Sequence, residues 1–226
     1  MSCKSAKYPI SDKDMQELLH KYPFLRYRNV WTGRQIYHGK SQNLADNYYK
    51  YWDGSGWENL WKNKYLPRLF TAYDKMSKAD KKHVSFTQVK EKFGSLRIYM
   101  NGGPVDLQTI AEWISEYTCE YCGKEPRTAE GHRVIWTTQD GWITHMCEDC
   151  ARQELLANGV PEDKIEEELE AMKDVRDDGF AFKRYGDKIV LVKFKETPDG
   201  WLERSEEVEL DKEEEKKNFI ASLKGE

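Results

Sequence analysis

Apolar side chains change period several times along the chain, and each change marks an expected element. Met15, Leu18, Leu19 and Tyr22 recur at helical spacing behind Ser11, a capping residue type with Asp14 three positions on. Pro23 stops that helix. The run at 24–37 is rich in aromatic and β-branched residues but alternates poorly, so it reads as strand-like. The DGSG sequence at 53–56 is a turn. After it, Trp57, Leu60, Trp61, Tyr65, Leu69, Phe70 and Tyr73 form a broad helical stripe, with a kink expected at Pro67.

The period then shortens to two. Val84, Phe86 and Gln88 alternate with their neighbours, as do Leu96, Ile98 and Met100, which predicts two strands joined through residues 91–94. A glycine-rich loop at 101–104 leads to a helix with Ile110, Trp113, Ile114 and Tyr117 on one face, running straight into Cys119. Beyond Cys150 a short helix at 151–157 ends at Asn158 and Gly159. Pro161 opens an acidic helix with Ile165, Leu169, Met172 and Val175 on its apolar side. Two strand-like runs, 189–196 and 201–210, flank Thr197, Pro198, Asp199 and Gly200, a turn by composition. A charged helix is expected at 211–223.

These elements predict an α+β protein in three parts. Residues 1–104 form a helical and β-hairpin core, and residues 105–158 a helix with a treble-clef or zinc-ribbon module. Residues 159–226 form an acidic helix–hairpin–helix appendage. Aromatic residues make up 13% of the chain, enough for a modest core built from few large side chains.

The chemistry is concentrated in cysteine. Of five cysteines, four lie in two CxxC pairs, Cys119 with Cys122 and Cys147 with Cys150, while Cys3 is left over. Two-residue spacing lets one tight turn aim two sulfurs at one ion, and Gly123 suits the positive φ such a turn uses. Two such turns make a closed tetrahedral set, so Cys119, Cys122, Cys147 and Cys150 are expected to hold one structural Zn²⁺. The 24 residues between the pairs contain two strand-like runs, 132–137 and 142–145. No apolar run approaches the ~20 residues of a membrane span. The first ten residues carry lysines without an apolar stretch behind them, so no secretory leader is expected and the cytosol is the expected compartment.

Charge is unevenly spread. Residues 1–100 carry 19 Lys and Arg against 9 Asp and Glu, a net +10, and residues 101–226 carry 17 against 31, a net −14. The halves can pair with each other, within one chain or between two copies, or the basic half can steer an acidic partner. Tyr48, Tyr49, Tyr51 and Trp52 precede Lys62, Lys64, Arg68, Lys75, Lys78, Lys81 and Lys82. Interleaved rings and cations can bind nucleic acid, yet the same rings at helical spacing also serve as core. No phosphate-cradling loop or activated nucleophile is legible. An HNH-type nuclease embeds its metal site between CxxC pairs, and His132 falls near its catalytic position. The acid–His dipeptide and the later ligands are absent: Glu130 and Gly131 precede His132, and Ala151 and Arg152 follow Cys150. His145 reads as a half-buried strand histidine, and the Glu166, Glu167 and Glu168 run as a solvated helix face. Binding rather than catalysis is the expectation.

Three segments together resemble a family of small zinc-binding proteins encoded by bacteriophages and prophages. They are DGSGW at 53–57, VKEKFGSLRIY at 89–99, and the CxxCG…CxxC unit with Trp142, Ile143 and Thr144 before its second pair. The resemblance covers about residues 50–152, and the 89–99 run is its most specific part. It implies a phage accessory protein with a zinc module at Cys119, Cys122, Cys147 and Cys150 and no established activity. In that setting a host protein in the infected bacterial cytoplasm is the expected partner, with inhibition of a defence system one outcome. The chain from about Gly159 departs from the short members of that family.

Overall fold

The computed structural model describes residues 11–27, 47–138, 141–176, 180–185 and 188–210. The chain divides into two compact units, Met1–Arg176 and Asp177–Glu226. Mixed helices and small antiparallel sheets make it an α+β protein. No helix of the described residues is long and apolar enough to cross a membrane.

The first unit opens with α1 (Asp12–Lys21). The Ser11 hydroxyl accepts the Asp14 N–H at 3.1 Å, and Met15 and Leu19 are buried. Pro23 does more than end this helix. It starts a 3₁₀ turn, Pro23–Leu25, that buries Phe24 and Leu25 where a strand was expected. Arg26 forms only an isolated bridge with Asn47, and most of the strand-like run lies outside the described residues.

The aromatic helix is also rearranged at its proline. Leu60–Tyr65 is π-helical, with the Leu66 N–H reaching back to the Trp61 carbonyl, and α2 (Leu66–Lys75) continues from it. Pro67 has no N–H to give, and the widened turn stands directly before it, where a kink was expected. Trp57, Leu60, Trp61, Tyr65, Leu66, Leu69 and Tyr73 are all buried. The Trp61 ring stacks on Tyr65, and its indole N–H donates to the Tyr48 carbonyl at 2.7 Å. The stripe is therefore core.

A short helix, α3 (Lys78–Lys81), precedes the hairpin of β1 (Ser85–Lys92) and β2 (Ser95–Asn101). A bulge between Phe86 and Gln88 shifts the alternation, so Val89 rather than Gln88 joins Phe86 in the core. The connecting turn is two residues, Phe93 and Gly94, both at positive φ. Helix α4 (Val105–Ser115) closes the free edge of β2. Its Ser115 hydroxyl accepts the Leu96 N–H at 2.8 Å, and its Glu112 carboxylate accepts the Ile98 N–H at 2.7 Å.

The cysteine region follows with β3 (Arg133–Thr137), β4 (His145–Met146), α5 (Glu148–Ala157), α6 (Ile165–Met172) and β5 (Lys173–Arg176), the sheet running β4-β3-β5. Residues 142–144 are loop, so only the end of the second expected strand pairs. Val175, expected on a helix face, lies instead on β5, opposite Val134. Residues 159–176 therefore pack with the cysteines: Ile165, Leu169 and Met172 share one buried cluster with Cys119, Val134, Trp136, Met146 and Cys147. Part of the charge asymmetry is absorbed here, since Lys64 pairs with Glu125 and Arg97 with Glu112 and Glu116.

The second unit is a three-stranded antiparallel meander of β6 (Phe180–Tyr185), β7 (Lys188–Glu196) and β8 (Leu202–Leu210). Its β7–β8 turn is the one the sequence marks. The Thr197 hydroxyl accepts the Trp201 N–H at 3.1 Å, and Gly200 has φ 75°. The appendage expected at 159–226 is thus split between the units, and the helix expected at 211–223 lies outside the described residues.

Candidate metal centre

Two elements deliver the cysteines. The first pair follows the end of α4, where the Thr118 hydroxyl donates to the Ile114 carbonyl at 2.8 Å and starts the turn. Cys119 N–H donates to the Lys124 carbonyl and Gly123 N–H to the Cys119 carbonyl, each at 2.9 Å. That loop needs positive φ at Gly123, which has 74°. The second pair sits at the start of α5, with Cys147 as its N-cap residue and Cys150 in its first turn. Unpaired N–H groups and the positive end of the helix dipole therefore face sulfur.

The four Sγ atoms lie within 4.8 Å of one another, and Cys122 Sγ is 3.6 Å from Cys147 Sγ. Thiolates at ~2.3 Å from a tetrahedral ion stand about 3.8 Å apart, so the donor set fits one metal ion. Cys119 and Cys147 are buried, and Cys122 and Cys150 are half-exposed. Cys122, Cys147 and Cys150 line an open cavity of about 830 Å³ with Tyr121, Lys124 and Arg152.

Without a cation these thiols cannot all ionise. The hydrogen bond from the Cys147 thiol, aided by backbone N–H groups of Cys147, Cys122 and Tyr121, holds Cys119 down to about 4 against the cost of its burial. The same bond pushes Cys147 up, and burial followed by the Cys119 charge pushes Cys150 up to about 12. A divalent cation removes that conflict by taking all four as thiolates.

Around the donor set the backbone is tied tightly. Glu120 N–H donates to the His145 carbonyl at 2.9 Å, and His145 N–H returns to the Glu120 carboxylate at 2.7 Å. Burial raises that carboxyl to about 7. The Gly56 N–H reaches the Glu120 carbonyl at 2.7 Å. A Cβ on Gly56 would lie 1.9 Å from the Cys119 carbonyl oxygen, and one on Gly123 would lie 2.6 Å from the Gly56 oxygen. The DGSG turn thus leans directly on the first cysteine loop, with Trp57 buried behind it. The sequence places these two segments far apart and carries no local signal of their contact.

Among the described residues the four cysteines are the one group of three or more potential ligands placed to share an ion. His132 stands outside it, its N–H on the Thr128 hydroxyl at 3.3 Å. His145 is the half-buried strand histidine expected, its ring against Gly94. Glu166, Glu167 and Glu168 are exposed, with Arg152 on Glu166 and Lys164 on Glu167. Cys3 lies outside the described residues. Sequence reading missed the exposure of Trp142 and Ile143, 73% and 37%, on the loop before β4. Thr138 pins that loop: its hydroxyl donates to the Trp142 carbonyl at 2.7 Å and accepts the Thr144 N–H at 3.0 Å.

The fold and site define an α+β protein organised around a four-cysteine cluster that can hold a metal ion. No protein-family model, curated protein or solved structure matches the chain.

Proposed function

We propose that Cys119, Cys122, Cys147 and Cys150 hold one structural zinc ion in a treble-clef arrangement, and that the protein works by binding rather than by catalysis. The observation that carries this is the closed set of four sulfurs within 4.8 Å. Four thiolates leave no coordination position for water or substrate, whereas catalytic zinc keeps one open. The order of first cysteine loop, β3 and β4, second cysteine pair and α5 supports the treble-clef reading.

The partner in this reading is a host protein in the cytoplasm of an infected bacterium, as the resemblance to phage zinc proteins implies. Trp142 supports it. A tryptophan that is 73% exposed on a pinned loop is the type of side chain that anchors protein interfaces at low entropic cost. Capture from bacterial lysate tests this directly. Wild-type protein should retain one partner at defined stoichiometry, and Trp142→Ala should lose it while keeping its metal. Equal capture by both proteins, or none by either, would remove the reading.

Nucleic-acid binding by the basic N-terminal half is the second reading. Of the rings in its platform, Tyr48 is buried, Tyr49 and Trp52 are half-buried and Tyr51 is 40% exposed. Lys62 and Lys64 are engaged by Asp53, Glu58 and Glu125. A degenerate nuclease finds no support in the surroundings of His132, and absence of Mg²⁺- or Mn²⁺-dependent cleavage would end it.

A further inference from the structure

The solvent face of the β1–β2 hairpin carries side chains that neither the core nor the cysteine cluster uses. Past the bulge, Lys90 and Lys92 share a face with Gln88, and the register sets Tyr99 opposite Gln88. Tyr99 is 43% exposed, and Phe93 at the tip is 62% exposed. Each ring has a lysine over it, Lys92 Nζ at 5.0 Å from the Phe93 centroid and Lys90 Nζ at 5.8 Å from that of Tyr99. The only carboxylate of the hairpin, Glu91, accepts the Gly94 N–H instead. Arg97 is already engaged by Glu112 and Glu116. Exposed Lys78 and Lys82 extend the basic charge towards the start of β1.

The tip is built against local preference. Phe93, at φ 55°, is the one non-glycine residue with positive φ among the described residues. Asn or Gly suits that position of a two-residue turn, while a bulky ring does not. Strain kept in order to display an exposed ring points to a use outside the fold. The edge of β2 is sealed by α4, so what the hairpin offers there is its face rather than a strand-pairing edge.

We propose that this face binds single-stranded nucleic acid. Phe93 and Tyr99 each stack a base, while Lys90 and Lys92 swing from the rings to the flanking phosphates. Charge complementarity selects this occupant. The carboxylates nearest this face, Glu112 and Glu116, are taken up by Arg97, so two rings with Lys90 and Lys92 beside them match a polyanion that carries planar groups, and an apolar partner would bury both ammonium groups uncompensated. The inference deepens the second reading above by giving it a face of its own, and it rests on neither Trp142 nor the metal.

Fluorescence anisotropy of labelled ~15-nucleotide oligo(dT) and oligo(rU) with the full chain tests it, the length taken from typical single-strand site sizes. Binding should appear at ~50 mM salt and weaken steeply by ~200 mM. Phe93→Ala and Tyr99→Ala should each weaken it roughly tenfold without changing the salt slope. Lys90→Ala and Lys92→Ala should each reduce the slope of log K against log salt by about 0.7. Phe93→Asn serves as the folding control, because it suits the turn: it should keep the melting temperature and weaken binding as much as Phe93→Ala does. Tighter binding of one oligonucleotide names RNA or DNA as the ligand. No anisotropy change at low salt, affinity untouched by both ring substitutions, or a duplex bound as tightly as the single strand overturns the proposal.

Discussion

Replacing Gly56 with alanine puts a methyl group where the first cysteine loop already stands. The added Cβ would sit 1.9 Å from the Cys119 carbonyl oxygen and 2.6 Å from the Glu120 carbonyl carbon and oxygen. All three are backbone atoms, so no side chain can swing aside. The turn at 53–56 or the loop at 119–123 has to move by more than an ångström, breaking the 2.7 Å hydrogen bond from Gly56 N–H to the Glu120 carbonyl. A lost buried hydrogen bond costs about 1–3 kcal/mol and overpacking about the same again, together roughly 2–6 kcal/mol. For a chain of this size each kcal/mol lowers the melting temperature by about 2–4 °C, so a drop on the order of 10 °C is expected. Because the displaced carbonyl belongs to a cysteine of the cluster, zinc affinity measured by chelator competition should also fall, tenfold for each ~1.4 kcal/mol that the loop absorbs. Gly54→Ala is the control. Gly54 has φ 79° but no atom within 4 Å of its Cβ position, so it should cost only the ~1–2 kcal/mol of a left-handed residue and leave zinc affinity unchanged. If Gly56→Ala melts no lower than Gly54→Ala and binds zinc as wild type does, the turn does not support the cysteine loop.

Other substitutions probe separate parts of the account. Leu169→Ala removes a side chain buried in the cluster that contains Cys119 and Cys147, and should cost about 2–5 kcal/mol in chemical denaturation and weaken zinc retention. An unchanged metal affinity would argue that residues 159–176 are a separate appendage after all. Asp74 is held below its ordinary value of 3.8, first by Lys21 and then by the Tyr22 hydroxyl. Its contribution is therefore present above that pH and is lost as pH falls through the lowered value. Asp74→Asn should flatten the acid limb of a melting-temperature profile, and an identical limb would contradict the assignment. Phe93→Asn relieves a left-handed conformation worth about 1 kcal/mol while giving up a cation–π contact of about 0.5 kcal/mol. Melting temperature should hold or rise by a degree or two, and a fall of several degrees would show that Phe93 serves the fold.

Local chemistry was legible in the sequence wherever one residue type at one spacing decides the outcome. Ser11 caps α1, the two CxxC pairs converge, and Asn158 and Gly159 end α5 as composition indicates. Periodicity misled where two structures share a pattern. Val175 continues the helical stripe of Ile165, Leu169 and Met172, yet it lies on β5, because pairing with β3 outweighs one more helical turn. Trp142 and Ile143 have the composition of a strand, but the Thr138 side chain holds them in a loop. The ring pattern could not distinguish Trp57, Trp61, Tyr65 and Tyr73, which are buried, from Tyr51, which is exposed. The contact between Gly56 and the first cysteine loop joins positions more than sixty residues apart, beyond the reach of any local pattern.

The most direct measurement is elemental analysis of the full chain purified under reducing conditions, paired with melting of Cys122→Ser and Cys147→Ser variants. One zinc per chain, lost together with several degrees of stability in either variant, is the expected result. A metal-free protein whose melting is indifferent to both substitutions would contradict the claim that the four sulfurs around Cys119 organise this fold.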